Sequence, residues 1–191
     1  MATGTMKEAK VNTGTTVSIV DSPIPTPGPH QVLTKVIYSG CNPKDWERAE
    51  AFPDKHPFNQ GDDIAGIVHA VGPAVSEFNP GDRVTAFHEM MTPGGSWAEY
   101  ALSDAHATTY LPNHTPFEQG AAIPLAALTA AVGLYARLGL PQPWLPVKDD
   151  DVKIPLVVYV YKIADTPGVK FLLRSSSVPD LTLTKFYVEQ G

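Results

Sequence analysis

Cysteine is nearly missing from this 191-residue sequence, where Cys41 stands alone. That excludes an intramolecular disulfide and any zinc site built from several thiolates. Positive charge is also short: 14 Lys+Arg face 20 Asp+Glu, a formal net charge of −6. A nucleic-acid grip needs clustered cations, so no nucleic-acid partner is expected. Long apolar runs are absent too. The most apolar stretch, residues 121–136, is interrupted by Pro124, Thr129 and Gly133 and falls short of the roughly 20 residues a bilayer span needs. Met1-Ala2-Thr3-Gly4 carries no basic leader followed by an apolar core. The expectation is a soluble, cytoplasmic protein without a membrane partner. Glycine runs out late: after Gly139 only Gly168 and Gly191 remain.

What is present is a 43% hydrophobic chain punctuated by 15 glycines and 19 prolines. Its length suits one domain, or one plus an appendage. From Met6 to about Leu111 the pattern is short strands cut by turns. Val32–Tyr38 alternates, with Val32, Thr34, Val36 and Tyr38 on one face and Leu33, Lys35 and Ile37 on the other. Pro23, Pro25, Pro27 and Pro29 precede it and predict an extended connector, because proline fixes φ and lacks an N–H. Ile64–Gly72 reads as a strand in which Gly66 marks a bend or a close backbone approach. Asn79-Pro80-Gly81-Asp82 is a turn feeding a strand at Arg83–Phe87, and Ser96–Ala101 alternates again. Closely spaced strands with Gly/Pro turns predict a partly open β-barrel.

The texture then changes. Thr115-Pro116-Phe117-Glu118 reads as a helix start, with Thr as N-cap and Glu in capping-box position. A longer helix is predicted from about Pro124, with Leu125, Leu128, Val132 and Tyr135 at helical spacing and Gly139 and Pro141 as the stop. The fold class is therefore mainly β, with one or two helices. Residues 1–140 form the predicted main domain. Residues 141–160 are a connector with an acidic cluster, Asp149-Asp150-Asp151, and a continuous apolar run, Leu156–Tyr161. Residues 161–191 are a weakly patterned tail with possible strands at 170–173 and 181–188.

Several motifs occur in order: Ser39-Gly40-Cys41-Asn42-Pro43-Lys44-Asp45-Trp46, then Gly61-Asp62-Asp63-Ile64-Ala65-Gly66-Ile67-Val68, then Val71 to Val84, then Gly94-Gly95-Ser96-Trp97-Ala98-Glu99-Tyr100, then Ile123 to Ala130. Together they resemble the medium-chain dehydrogenase/reductase superfamily, in particular its zinc-free quinone reductases and the fungal trans-enoyl reductases of polyketide pathways. The resemblance covers about residues 6–160. It implies a GroES-like barrel, a Rossmann domain binding NADPH, and a C-terminal segment returning to the barrel. Zinc-dependent members carry a Cys and a Gly-His-Glu motif. Asp62-Asp63 and Asn42 stand in their places here, so no metal is expected.

The resemblance makes Leu156–Tyr161 the remnant first Rossmann strand, which a Gly-rich turn must follow so that a diphosphate can approach the backbone. Val160-Tyr161-Lys162-Ile163-Ala164-Asp165 follows instead, and no Gly-x-Gly-x-x-Gly can be assembled. The nucleotide-binding Rossmann domain is thus expected to be largely absent. No cofactor is expected for this chain alone, with NADPH implied by the resemblance.

By resemblance, the catalytic set is Asn42, Lys44, Asp45 and Thr129. Of these, Asn42 would face the nicotinamide and Thr129 would touch its carboxamide. Relatives often place a cation two positions after the Asp of the Asn-Pro-x-Asp motif, where this chain has Glu47, with Arg48 next. Lys44 is open between a substitute cation and a solvated surface lysine. Asp45 and Asp63 are open between acid–base chemistry and hydrogen bonds to backbone N–H groups that fix loops. Asp62, Phe87, Trp97 and Tyr100 are candidates for a substrate pocket, and the aromatics equally for core. His88-Glu89-Met90-Met91-Thr92 lacks the second His of a zinc protease.

The functional expectation is an enoyl/quinone-reductase-like protein of fungal polyketide or other secondary metabolism, weak or inactive alone as an NADPH-dependent reductase. Its rivals are a cofactor-independent cyclase or isomerase acting on a polyketide-like small molecule, and a non-catalytic partner. Self-association or docking on a synthase is expected through residues 156–161.

Overall fold

The computed structural model describes residues 4–14, 16–55, 57–140, 157–159 and 172–174. The chain divides into two units, Met1–Leu140 and Pro141–Gly191.

In the first unit, β1 (Thr5–Val11) and β2 (Val17–Pro23) form an antiparallel hairpin. Then come β3 (Gln31–Gly40), α1 (Lys44–Ala51), β4 (Asp63–Val71), β5 (Arg83–Phe87), β6 (Tyr100–Asp104) and β7 (Thr108–Tyr110). Five of these strands make one antiparallel sheet in the order β6-β3-β4-β5-β7. This curled sheet with its separate hairpin is the partly open barrel expected from the strand spacing. Neither β1, β2 nor β7 was singled out in the sequence, because their apolar residues are sparse.

The register explains several sequence features. Two irregularities between β3 and β4, at Leu33/Thr34 and Val36/Tyr38, break the strict alternation read from Val32–Tyr38. Leu33 is as buried as Val32, and Tyr38, beyond the second irregularity, is about half exposed. At Gly66 a Cβ would collide with the Lys35 carbonyl oxygen of β3, so this strand position has room only for glycine. The turn before β5 closes when the Asp82 N–H donates to the Asn79 carbonyl and Asp82 Oδ2 accepts from the Asn79 N–H. The core comprises one cluster of Val32, Val68, Phe78 and Val84 and another of Ile64, Ala86 and Ala101.

Two expectations are corrected. The strand read at Ser96–Ala101 starts only at Tyr100. The Asn59 side chain and the Gly61 carbonyl intercept the N–H groups of Trp97 and Ser96, so these cannot join the ladder. The helix read from Thr115 begins at Phe117, as α2 (Phe117–Gly120), with Pro116 extended as its N-cap and no side-chain cap. Arg83 fixes α2 by donating to the Thr115 carbonyl and lying over the Phe117 ring.

The longer helix appears as α3 (Pro124–Ala131), continued by a π-helical turn at Val132–Arg137. Helical residues Phe117–Arg137 together reach 21 residues of span-like hydropathy, more than the apolar run read from the sequence. They are built in separate pieces. The start of α3 is tied to the sheet by the Asp63 side chain, which accepts from the Leu125 N–H.

In the second unit, β8 (Val157–Tyr159) pairs antiparallel with β9 (Leu172–Arg174). Strands of a nucleotide-binding sheet run parallel. The expected connector at 141–155, the strand at 181–188 and the rest of the tail lie outside the described residues.

Candidate functional site

The sheet brings one end of β3 beside the start of β4, and the sequence between them supplies a polar cluster. Gly40 pairs with Asp63 at this end. A Cβ on Gly40 would strike the Asp63 carboxylate and the Ala121 carbonyl, so glycine lets the chain pass between them. Residues 41–43 then lead into α1. The Asn42 carbonyl accepts from the Asp45 N–H at 3.0 Å, and Asp45 Oδ2 accepts from the Asn42 N–H at 2.7 Å. These two bonds close the turn from Asn42 to Asp45 and fix the helix start and the Asn42 backbone together.

Lys44 is neither a solvated lysine nor a free cation. Its ammonium lies 2.6 Å from Asp45 Oδ1, 2.6 Å from the Gln60 carbonyl oxygen and 2.7 Å from Asp62 Oδ2. An ammonium has three hydrogens, and three acceptors surround it. Its side chain is only 16% exposed. Lys44 therefore neutralises two buried carboxylates and staples α1 to the strand entry. Arg48, one turn along α1, adds a second cation 3.6 Å from Asp62 Oδ2 and donates to the Met90 sulfur. The positive charge expected near Glu47 is thus supplied by its neighbour, and Glu47 is exposed. Asp62 is 1% exposed beneath these cations; it does not line an open cleft.

Asp63 joins three elements. Its Oδ2 accepts from Asn42 Nδ2 at 2.8 Å, and its Oδ1 accepts from the Leu125 N–H at 2.7 Å. Leu125 lies in the first turn of α3, where unpaired N–H groups and the positive end of the helix dipole favour a carboxylate. Burial pushes the Asp63 carboxyl up from the ordinary carboxylate range, outweighing the two hydrogen bonds that pull it down. Asp45 and Asp63 both bond backbone N–H groups, as the loop-fixing reading anticipated. Cys41 is pushed up by burial and by Asp45 and Asp63, which keeps its thiol protonated.

Asn42 and α3 thus meet at one carboxylate. Thr129 stands four residues beyond Leu125, roughly 6 Å along the helix, and is exposed. Phe87 pairs directly with Asp63 across β4 and β5, so it borders the same place. Trp97 is half-buried, its indole against Gly61 beside Asp62 and its backbone N–H held by Asn59. Tyr100 lies away from the cluster. Tyr100 pairs with Lys35, five residues along β3 from Gly40 or roughly 15 Å away, and packs edge-on against His69 at 5.0 Å. His88 is buried, its ring nitrogens 2.7 Å from the Leu102 carbonyl oxygen and 3.0 Å from that of Thr92.

The sequence reading overlooked Asn59. Its amide nitrogen donates to Glu8 and the Gly95 carbonyl, and its oxygen accepts from the Gly61 and Trp97 N–H groups. The partners lie up to 51 positions away, so no local signal could have shown them.

Residues 28–113 match the alcohol dehydrogenase GroES-like domain. The chain is 56% identical over 158 residues to a trans-enoyl reductase of Gibberella fujikuroi, covering 83% of this chain and 46% of that protein. It is 41% identical over 118 residues to the quinone oxidoreductase of Rattus norvegicus, covering 60% of this chain and 35% of the relative. Among solved structures, a mycobacterial protein in complex with NADPH superposes with a TM-score of 0.58 at 29% identity, covering 72% of this chain and 43% of that one. The chain thus spans about half the length of the relatives it matches, or less. The half-barrel, the Asn42-Pro43-Lys44-Asp45 and Gly61-Asp62-Asp63 motifs joined at one polar cluster, and these likenesses make residues 28–113 a GroES-like domain similar to that of the enoyl and quinone reductases of the medium-chain dehydrogenase/reductase superfamily.

Proposed function

We propose that this chain forms the substrate side of an NADPH-dependent enoyl or quinone reductase of fungal polyketide or other secondary metabolism, working as a soluble cytoplasmic protein. The observation that carries the reading is the shared carboxylate of Asp63. By accepting from both Asn42 Nδ2 and the Leu125 N–H, it holds the Asn42 amide and the helix bearing Thr129 in fixed relation. A half-buried amide oriented by a carboxylate is a preorganised group for positioning a planar carboxamide or an enone carbonyl.

The residues of this sequence fit only one end of the coenzyme. Asn42 and Thr129 offer hydrogen bonds to a nicotinamide carboxamide. For the diphosphate, Gly168 and Gly191 after Gly139 are too few and too far apart for the turn a dinucleotide needs. The proposal is that the residues of this chain bind NADPH weakly or not at all by themselves and are weak or inactive as a reductase.

Calorimetric titration of the 191-residue chain with NADPH tests this, with coenzyme consumption followed in the presence of an enal or a quinone. Expected are no submicromolar binding and no sustained consumption. Submicromolar binding would mean a diphosphate site elsewhere in these residues and would overturn the reading. A second reading, a non-catalytic role docked on another protein, draws on the exposed apolar side chains Ile123, Leu128 and Val132.

A further inference from the structure

Away from the Asn42–Asp63 cluster, and sharing no residue with it, a cavity of about 340 Å³ opens between the β1–β2 hairpin, the loop before Gln60 and the turn at Pro93-Gly94. That volume falls within the ~300–1,000 Å³ of small-molecule sites. Its apolar lining is Met6, Phe58 and four prolines, Pro23, Pro25, Pro57 and Pro93. Proline contributes no N–H and little side-chain freedom, so these walls offer rigid apolar surface and lose little entropy when a ligand fills them.

Against these walls stands one carboxylate. Glu8 is 7% exposed. Its Oε2 accepts from the Ser22 hydroxyl and lies 3.4 Å from Lys10 Nζ, and its Oε1 accepts a long bond from Asn59 Nδ2 at 3.3 Å. Each carboxylate oxygen has two acceptor positions, so Oε1 retains one. Lys10 has three hydrogens, and Glu8 is the ion-pair partner it finds among the described residues. Asn59 cannot adapt to a ligand, since its amide already makes four bonds. The cavity therefore presents an acceptor and a donor side by side. A hydroxyl is the neutral group that satisfies both at once, donating to the carboxylate and accepting from the ammonium. An aromatic ring suits walls of proline and phenylalanine.

We propose that this cavity binds a small phenol, its hydroxyl bridging Glu8 Oε1 and Lys10 Nζ and its ring against Phe58 and the prolines. Titration of the ¹⁵N-labelled full chain with phenol, and separately with toluene, tests it. Phenol is expected to bind with a dissociation constant on the order of a millimolar, shifting the amides of Glu8, Lys10, Phe58 and Gly94. Toluene, lacking the hydroxyl, is expected to bind at least about tenfold more weakly. Glu8→Gln should reduce phenol affinity about tenfold and leave toluene unchanged. If that variant unfolds the hairpin, Lys10→Met decides, because this partly exposed side chain can be replaced without emptying the core; it should cost phenol several-fold. Equal binding of phenol and toluene, shifts confined to other residues, or undiminished phenol binding by Lys10→Met would each overturn the proposal. None of these outcomes bears on the NADPH titration.

Discussion

The central strands of the sheet and helix α3 are both written in apolar residues, yet they end in opposite environments. Ile64, Ala65 and Val68 on β4 are at most 2% exposed, whereas Leu128 and Val132 along the helix are 41% and 50% exposed. Strand β4 is paired on both edges, with β3 and β5, and its side chains meet those of its neighbours. Helix α3 is gripped chiefly at its start, through the Asp63 bond to the Leu125 N–H. Apolar composition states what a segment gains by being covered. Which segment is covered depends on what the chain brings against it.

This contrast can be broken by substitution, beginning where the expected effect is largest. Ile64→Ala empties space in a fully buried cluster and should cost about 3–4 kcal/mol in urea unfolding. Lys44→Met leaves the Asp45 and Asp62 carboxylates facing each other without the ammonium between them. A loss of about 3 kcal/mol is expected by the same measurement, although the replacement is more apolar. Asp63→Ala removes the partner of both Asn42 and the α3 N-terminus, and about 2 kcal/mol is expected. Circular dichroism should show the helical signal melting earlier in that variant.

Acidity sharpens the same point. The raised carboxyl of Asp63 means that the folded chain holds this proton more tightly than the unfolded one. Its contribution to stability is therefore full below the unfolded carboxylate value of about 3.9 and is lost as pH rises through the folded value. A series of urea unfolding curves should show the wild-type advantage over Asp63→Asn shrinking from about pH 4 upward. The smallest effect belongs to the helix: Leu128→Gln on its exposed side should change stability by no more than about 0.5 kcal/mol.

Much of the site was legible in the sequence. Asn42, Asp45, Asp62 and Asp63 fell in recognisable motifs, and the glycine at position 66 announced a close approach that β3 indeed makes. Lys44 was open between a substitute cation and a solvated lysine, and the solvated reading does not hold, because its three acceptors come from α1 and from residues 60 and 62. The aromatic residues were harder still. Phe87 reached the site through strand register, while Tyr100, open between pocket and core, packs its ring on His69. A side chain's direction follows from strand parity, and a single bulge reverses it.

Local chemistry was determined by the amino-acid sequence alone: the central short strands, their proline and glycine boundaries, the helix from Pro124, and a lone cysteine that excludes a zinc site of several thiolates. Each depends on neighbours a few positions apart, or on a residue type being scarce. The tertiary structure decided which charges neutralise one another, that one carboxylate serves both Asn42 and α3, and that a cavity opens beside Glu8. Those outcomes join positions as distant as Glu8 and Asn59 or Asp63 and Leu125, and only the closed sheet brings such groups within hydrogen-bonding distance.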